Sequence, residues 1–130
     1  MTQEDKELLF KDLCARLTFG IKFLRESWNF ETDQELSVIE VLEDIDKDGY
    51  INNTKVYKVE DIKPYLFPLT SITEEQKMFL KQQNWRIAIS TRGTVETTIE
   101  GIDWLNKNHF DYRGLIEKGL AIDATGLNIY

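Results

Sequence analysis

The residues with the clearest metal-binding spacing lie between positions 44 and 52. Asp44, Asp46 and Asp48 alternate along the chain, Gly49 follows them, and Asn52 is the ninth residue counted from Asp44. This spacing matches the first part of a calcium-binding EF-hand loop, where such side chains supply oxygen ligands and the glycine permits a sharp turn. One hypothesis is therefore a calcium-dependent module that uses Asp44, Asp46, Asp48 and Asn52.

The last position of the same loop argues against calcium. An EF-hand needs a bidentate glutamate there, whereas this chain has Lys55, whose ammonium group repels a cation. A β-hairpin explains the same residues, because its connection would contain the Asp and Gly residues that turns favour. We favour the hairpin and predict no cofactor, and the calcium module stays as the alternative.

Histidine and cysteine each occur once. His109 has Asp103 and Asp111 nearby in sequence, whereas Cys14 lies almost a hundred residues earlier. A catalytic thiol–imidazole pair or a zinc site would need a contact that only the fold could supply. We interpret His109 as a residue at a helix C-terminus and Cys14 as a small buried residue on an apolar helix face. Nucleotide-binding, hydrolase and zinc-protease motifs are absent from the sequence, so we predict that the protein is not an enzyme.

Aromatic and charged residues alternate most densely between positions 104 and 120. Trp104, Phe110, Tyr112 and Arg113 are of the types that most often anchor protein interfaces. Large rings are also buried on average, and in that case these residues would fill a core while Arg113 paired with a local carboxylate. The sequence leaves both interpretations open, and the four residues form a candidate partner-binding patch.

The net charge of −7 comes from one segment of the chain. The range Glu26–Asp48 contains nine acids and one base, so the remainder is nearly neutral. Nucleic acids and anionic membranes attract clustered Lys and Arg, so we expect neither as a partner. The single cysteine cannot form an internal disulfide, and no apolar run approaches the roughly 18 residues of a membrane span. We expect a cytoplasmic protein that binds another protein.

Capping residues and apolar spacing predict three helices, at about 3–16, 74–83 and 98–107, the last beginning with a Thr97–Glu100 capping box. Alternating residues predict strands near 21–26, 85–90 and 120–122 and β-rich structure over 50–59. The segment 36–45 also fits helical spacing, but its β-branched residues favour a strand.

The segments between these elements are predicted to be irregular. Residues 27–34 are polar and predict a loop, and 91–94 predict a turn. Residues 59–68 contain both prolines and predict a short helical turn followed by an extended crossing rather than a central strand. The whole chain, 1–130, is predicted to be a single α+β domain with a small twisted antiparallel sheet, for which a barrel is one arrangement.

Three segments of the chain form a recognisable set: Leu13–Leu17, then Ile62–Leu66 with Pro68 and Thr73–Glu75, and finally Trp104–Ile116 with Gly119–Ala121. Together they resemble a family of small uncharacterised proteins that gut bacteria of the Bacteroides group encode, often within prophages or other mobile elements. Phe67 stands where the family pattern has an arginine. The resemblance implies a genomic setting but no activity. We therefore expect a non-catalytic adaptor that binds its partner through either the aromatic patch or the acidic stretch near Asp44.

Overall fold

The computed structural model describes residues 1–89 and 95–130, so the turn predicted at 91–94 lies outside the described residues. Helix α1 spans Gln3–Arg16, as predicted. Its capping box is formed by Thr2, whose side chain accepts the Asp5 N–H while the Asp5 carboxylate accepts the Thr2 N–H. A 3-10 turn and Gly20, which has φ 70°, end the helix, because glycine adopts this left-handed conformation without strain.

Two further helices follow residue 70, close to their predicted bounds. Helix α2 spans Glu74–Gln82 and begins with a capping box between Thr73 and Gln76. Helix α3 spans Ile99–Lys107, and its N-cap is Thr98 rather than the predicted Thr97. The Thr98 side chain accepts the Gly101 N–H, which fixes the start of the helix one residue later.

The main sheet has five strands and is mixed rather than purely antiparallel. Its strands are β1 at Lys22–Asn29, β2 at Gln34–Val41, β3 at Ile62–Pro68, β6 at Phe110–Asp111 and β7 at Ile122–Asp123. Strands β1 and β2 form a long hairpin, β1 also pairs with β3 antiparallel, and β6 and β7 join β3 in parallel. A separate two-stranded sheet contains β4 at Ile87–Ile89 and β5 at Val95–Thr97. The α+β prediction is confirmed, and the sheet does not close into a barrel.

Two predictions about the sheet are wrong in part. Half of the predicted loop at 27–34 is strand, because the hairpin pairs Trp28 with Glu35 and Asn29 with Gln34, and the turn takes only the four residues 30–33. The segment with both prolines begins with the predicted short helical turn, at Val59–Asp61, but then continues as a central strand. Its first half pairs with β1 up to Pro64, whereas its second half pairs with β6 and β7, so each proline, which has no N–H to donate, is paired on one side only.

The predicted β-rich segment 50–59 forms isolated bridges instead of a strand, joining Ile45 with Ile51 and Tyr50 with Lys58.

The apolar interior consists of two clusters. The larger lies between α1 and the main sheet and includes Leu9, Leu13, Phe23 and Leu66. The smaller is centred on Leu105, Phe110 and Ile72. Within the described residues, no helix is long and apolar enough to cross a bilayer.

Candidate binding groove and polar core

The four residues of the predicted patch lie together but face the interior. Phe110 is buried, and the Trp104 ring stacks on it with centroids 5.4 Å apart and an interplanar angle of 13°. The Tyr112 hydroxyl donates a hydrogen bond of 2.8 Å to Asn106 Oδ1. Arg113 is largely covered, with 17 % of its side chain exposed. These contacts correspond to the core interpretation of the patch.

Arg113 belongs to a buried ion cluster with Asp12 and Arg16, both from α1. Arg16 donates through Nε to Asp12 Oδ2 at 2.8 Å and through Nη2 to Asp12 Oδ1 at 3.2 Å. Arg113 Nη1 donates to Asp12 Oδ1 at 3.0 Å and to the Tyr112 hydroxyl at 2.8 Å. Arg16 Nη2 also reaches the Phe110 carbonyl at 2.6 Å. The cluster therefore joins α1 to the segment that follows α3.

The apolar spacing of Leu9, Leu13 and Leu17 predicts that the charged residues of α1, among them Asp12 and Arg16, lie on its solvated face, and for these two residues the prediction is wrong. Both side chains are 0 % exposed, although their spacing of four residues is typical of a helical ion pair. Cys14, predicted to be buried, is exposed. Partial burial raises the pKa of the Cys14 thiol, which makes it a weaker nucleophile at neutral pH.

His109 follows α3 with φ 65°. Its ring stacks on Tyr130 with centroids 3.9 Å apart and an interplanar angle of 16°. Burial, reinforced by the positive charges of Arg16 and Lys22, lowers the pKa of His109 to about 4. Its position at the end of the helix agrees with the predicted setting, and the neutral ring packs against an aromatic neighbour.

Asp111 and Tyr130 have structural roles that the sequence did not reveal. The Asp111 carboxylate accepts the N–H groups of Leu115 and Ile116 at 3.0 and 2.9 Å. The Tyr130 hydroxyl accepts the Lys22 N–H at 2.9 Å and donates to the Tyr65 carbonyl at 2.8 Å, so it bridges β1 and β3. Burial raises the pKa of Tyr130 to about 12, which keeps this hydroxyl protonated.

The oxygens of two residues in the predicted calcium loop already accept hydrogen bonds from the protein. Asp46 Oδ1 accepts the N–H groups of Asp48 and Tyr50, both at 2.9 Å, while Oδ2 lies 3.4 Å from Lys55 Nζ. Burial raises the pKa of Asp46, but these hydrogen bonds outweigh it, and the pKa lies below its ordinary value.

Asn52 completes this internally bonded loop. Its Oδ1 accepts the N–H groups of Glu43 and Asp44, and its Nδ2 donates to the Val41 carbonyl. Among residues 1–89 and 95–130, no three His, Cys, Asp or Glu side chains are grouped to hold a metal ion. The geometry of 44–52 is thus that of a turn stabilised by its own side chains.

A concave groove lies beside α2 in the described structure, and we call it the α2 groove. Its volume is about 700 Å³, within the range of pockets that hold a ligand or several side chains of a partner. Its apolar residues are Leu69, Ile72, Leu80, Trp85 and Ile87. Its charged residues are Lys77, Lys81 and Arg86, and no acid is among the described residues that line it.

Aromatic side chains extend the α2 groove along the helix. Phe79 packs edge-on against Trp85, with ring centroids 5.8 Å apart. Met78 is 62 % exposed, and Phe79 is also exposed. Lys77 pairs with Glu74 at 3.2 Å, but exposed pairs of this kind contribute little to stability and exchange readily for another anion. The sequence predicted the helix but not the groove, because the groove is lined by residues of α2 together with residues that precede and follow it.

Comparisons with protein families, curated proteins and solved structures find no significant match to this chain.

Proposed function

We propose that this protein is a non-catalytic adaptor that binds a protein segment in the α2 groove. The observation that carries the proposal is the composition of the groove, which combines an apolar floor with three cations and no acid. Such a surface favours a segment that has apolar side chains flanked by carboxylates. Trp85 supplies an aromatic anchor of the kind found at the centre of many interfaces.

The chemistry of the groove supports binding rather than catalysis. Among the residues that the structure describes, neither His nor Cys nor any carboxylate lines it, so this lining contains none of the usual nucleophiles or general bases except lysine. Lys77 and Lys81 are exposed to solvent. Both lysines are therefore suited to attracting an anionic partner.

The groove replaces the 104–113 patch as the contact that we propose. Arg113 is bonded to Asp12 and Tyr112, and Trp104 is stacked on Phe110, so their binding groups are occupied within the protein. Freeing them would break the buried ion cluster.

The cellular setting is also part of the proposal. A single exposed thiol that forms no internal disulfide is typical of a reducing compartment, which supports a cytoplasmic location. The resemblance to proteins of Bacteroides-group mobile elements suggests that the partner is encoded by a prophage or another mobile element.

The experiment is a selection of random 12-residue peptides on the immobilised wild-type protein. Selected peptides should be rich in Asp, Glu and aromatic residues. They should lose at least tenfold in affinity for Lys81→Glu/Arg86→Glu, because the charge reversal repels their carboxylates.

The matched control is Lys11→Glu/Lys118→Glu, which makes the same change in net charge at exposed lysines outside the groove. Peptides should bind this control like the wild type. Peptides without acidic character, or peptides that bind both double variants equally, would show that the α2 groove is not the binding site.

A further inference from the structure

We infer that the occupant of the α2 groove is the tip of the β1–β2 hairpin from a second copy of this chain. This inference rests on the proposed function and names the partner of the same site. The protein would then assemble head to tail, with each hairpin seated in the groove of the next copy.

The hairpin projects beyond the rest of the sheet. Strand β3 pairs with β1 only between Phe23 and Arg25, whereas β1 and β2 remain paired for four more residue pairs, from Glu26–Ser37 to Asn29–Gln34. At about 3.3 Å per residue this projecting half extends roughly 13 Å. In the described structure it has no other strand beside it, so its tip is available to another molecule.

The tip has the apolar and acidic composition that the groove selects. Phe30 lies in the turn and is 88 % exposed, although an aromatic ring gains by leaving water. The projecting segment 26–37 contains four acids and no base. They are Glu26, Glu31, Asp33 and Glu35. Among these four acids, only Glu26 accepts a hydrogen bond from another side chain, that of Ser37, in the described structure.

Charge and shape are complementary between the two surfaces. In the proposed contact the three cations of the groove attract the carboxylates that lie on both sides of Phe30 in the hairpin tip. The apolar residues of the groove bury the Phe30 ring. The hairpin of the same chain does not supply this occupant, because none of its residues lines the groove and Phe30 is exposed. The contact must therefore be intermolecular.

The hairpin and the groove are different surfaces, so a single contact between two copies is heterologous. A dimer held by one such contact keeps one unused hairpin and one unused groove, so growth continues to a ring or an open chain. Charge contributes to the contact, so salt should weaken it.

The test is sedimentation velocity over a series of concentrations. The wild type should form dimers and larger species at about 0.1–0.5 mM, and association should decrease when salt is raised. Phe30→Ser, which removes the ring of the hairpin tip, and Lys81→Glu/Arg86→Glu, which reverses two charges of the groove, should each be monomeric when alone. Phe30 is exposed, so folding should be unchanged, and circular dichroism checks this.

Mixing the two variants distinguishes head-to-tail assembly from other association. The Phe30→Ser protein keeps an intact groove and the groove variant keeps an intact hairpin, so an equal mixture should form one-to-one dimers and nothing larger. The control Lys11→Glu/Lys118→Glu should assemble like the wild type. A wild type that stays monomeric to about 0.5 mM, or a mixture that does not dimerise, overturns the inference.

The two proposals can fail separately. A monomeric wild type that still selects groove-dependent acidic peptides overturns self-assembly and leaves the adaptor function. If the hairpin variant and the groove variant each self-associate as strongly as the wild type, the hairpin–groove contact is overturned. Failure of the peptide selection together with monomeric behaviour removes both.

Discussion

Asp12 is the carboxylate that holds two guanidinium groups in the interior, and its removal should destabilise the protein strongly. It accepts three hydrogen bonds, two from Arg16 and one from Arg113, at 2.8 to 3.2 Å. In Asp12→Ala, Arg16 keeps only the Phe110 carbonyl among the acceptors described here. A fully buried positive charge is then left without a counterion.

Removing one partner of a buried ion pair typically costs about 3–5 kcal/mol, and Asp12 and Arg16 are both fully buried. We expect a cost in this range, which is a large part of the roughly 5–15 kcal/mol that stabilises a domain. Arg113 is partly exposed to water, unlike the fully buried Arg16. Arg113→Ala should therefore cost less, about 1–2 kcal/mol.

Urea denaturation measures these differences from the midpoint and the slope of unfolding. The informative comparison is Asp12→Leu/Arg16→Met, which replaces the buried pair with apolar side chains of similar size. Such replacements are often close to neutral, so the double variant should be more stable than Asp12→Ala. A loss below about 1 kcal/mol in Asp12→Ala, or a double variant no better than the single one, would refute the counterion role.

Three smaller predictions concern other parts of the interior. The pKa of His109 is about 4 when folded and near 6.5 when unfolded, so the unfolded chain binds its proton first and stability should fall as pH decreases from about 6.5 toward 4. His109→Asn, which tolerates the positive φ, should reduce the pH dependence of the urea midpoint between pH 7 and 5; an unchanged slope contradicts the lowered pKa. Tyr130→Phe should lower the free energy of unfolding by about 1 kcal/mol, since an exposed and a partly buried backbone group lose their hydrogen-bond partner, and no loss contradicts the bridge. Asn52→Gly should cost about 1–3 kcal/mol, and millimolar calcium should leave the wild-type melting temperature unchanged relative to chelator; a clear rise with calcium would restore the metal-binding alternative.

The sequence alone determined where the helices lie, because their signals are local. Thr2 and Asp5 bond within one turn, as do Thr73 and Gln76, so the start of α1 and of α2 could be predicted from residue types at fixed spacing. The α+β class followed from the same alternation of helical and strand periodicity. The turn at 46–49 was also predictable, because Asp and Gly define such a connection over a few residues.

Tertiary structure alone decided which polar residues are buried and which apolar ones are exposed. The burial of Asp12 depends on Arg113, which is 101 residues away in sequence, and no helical pattern contains that information. The α2 groove likewise exists only because β4 packs beside α2. Phe30 shows the converse, since a ring whose type favours burial is exposed at the tip of a hairpin that extends past its neighbours. Local bonding determines secondary structure, whereas burial depends on contacts between distant segments that a single sequence does not specify.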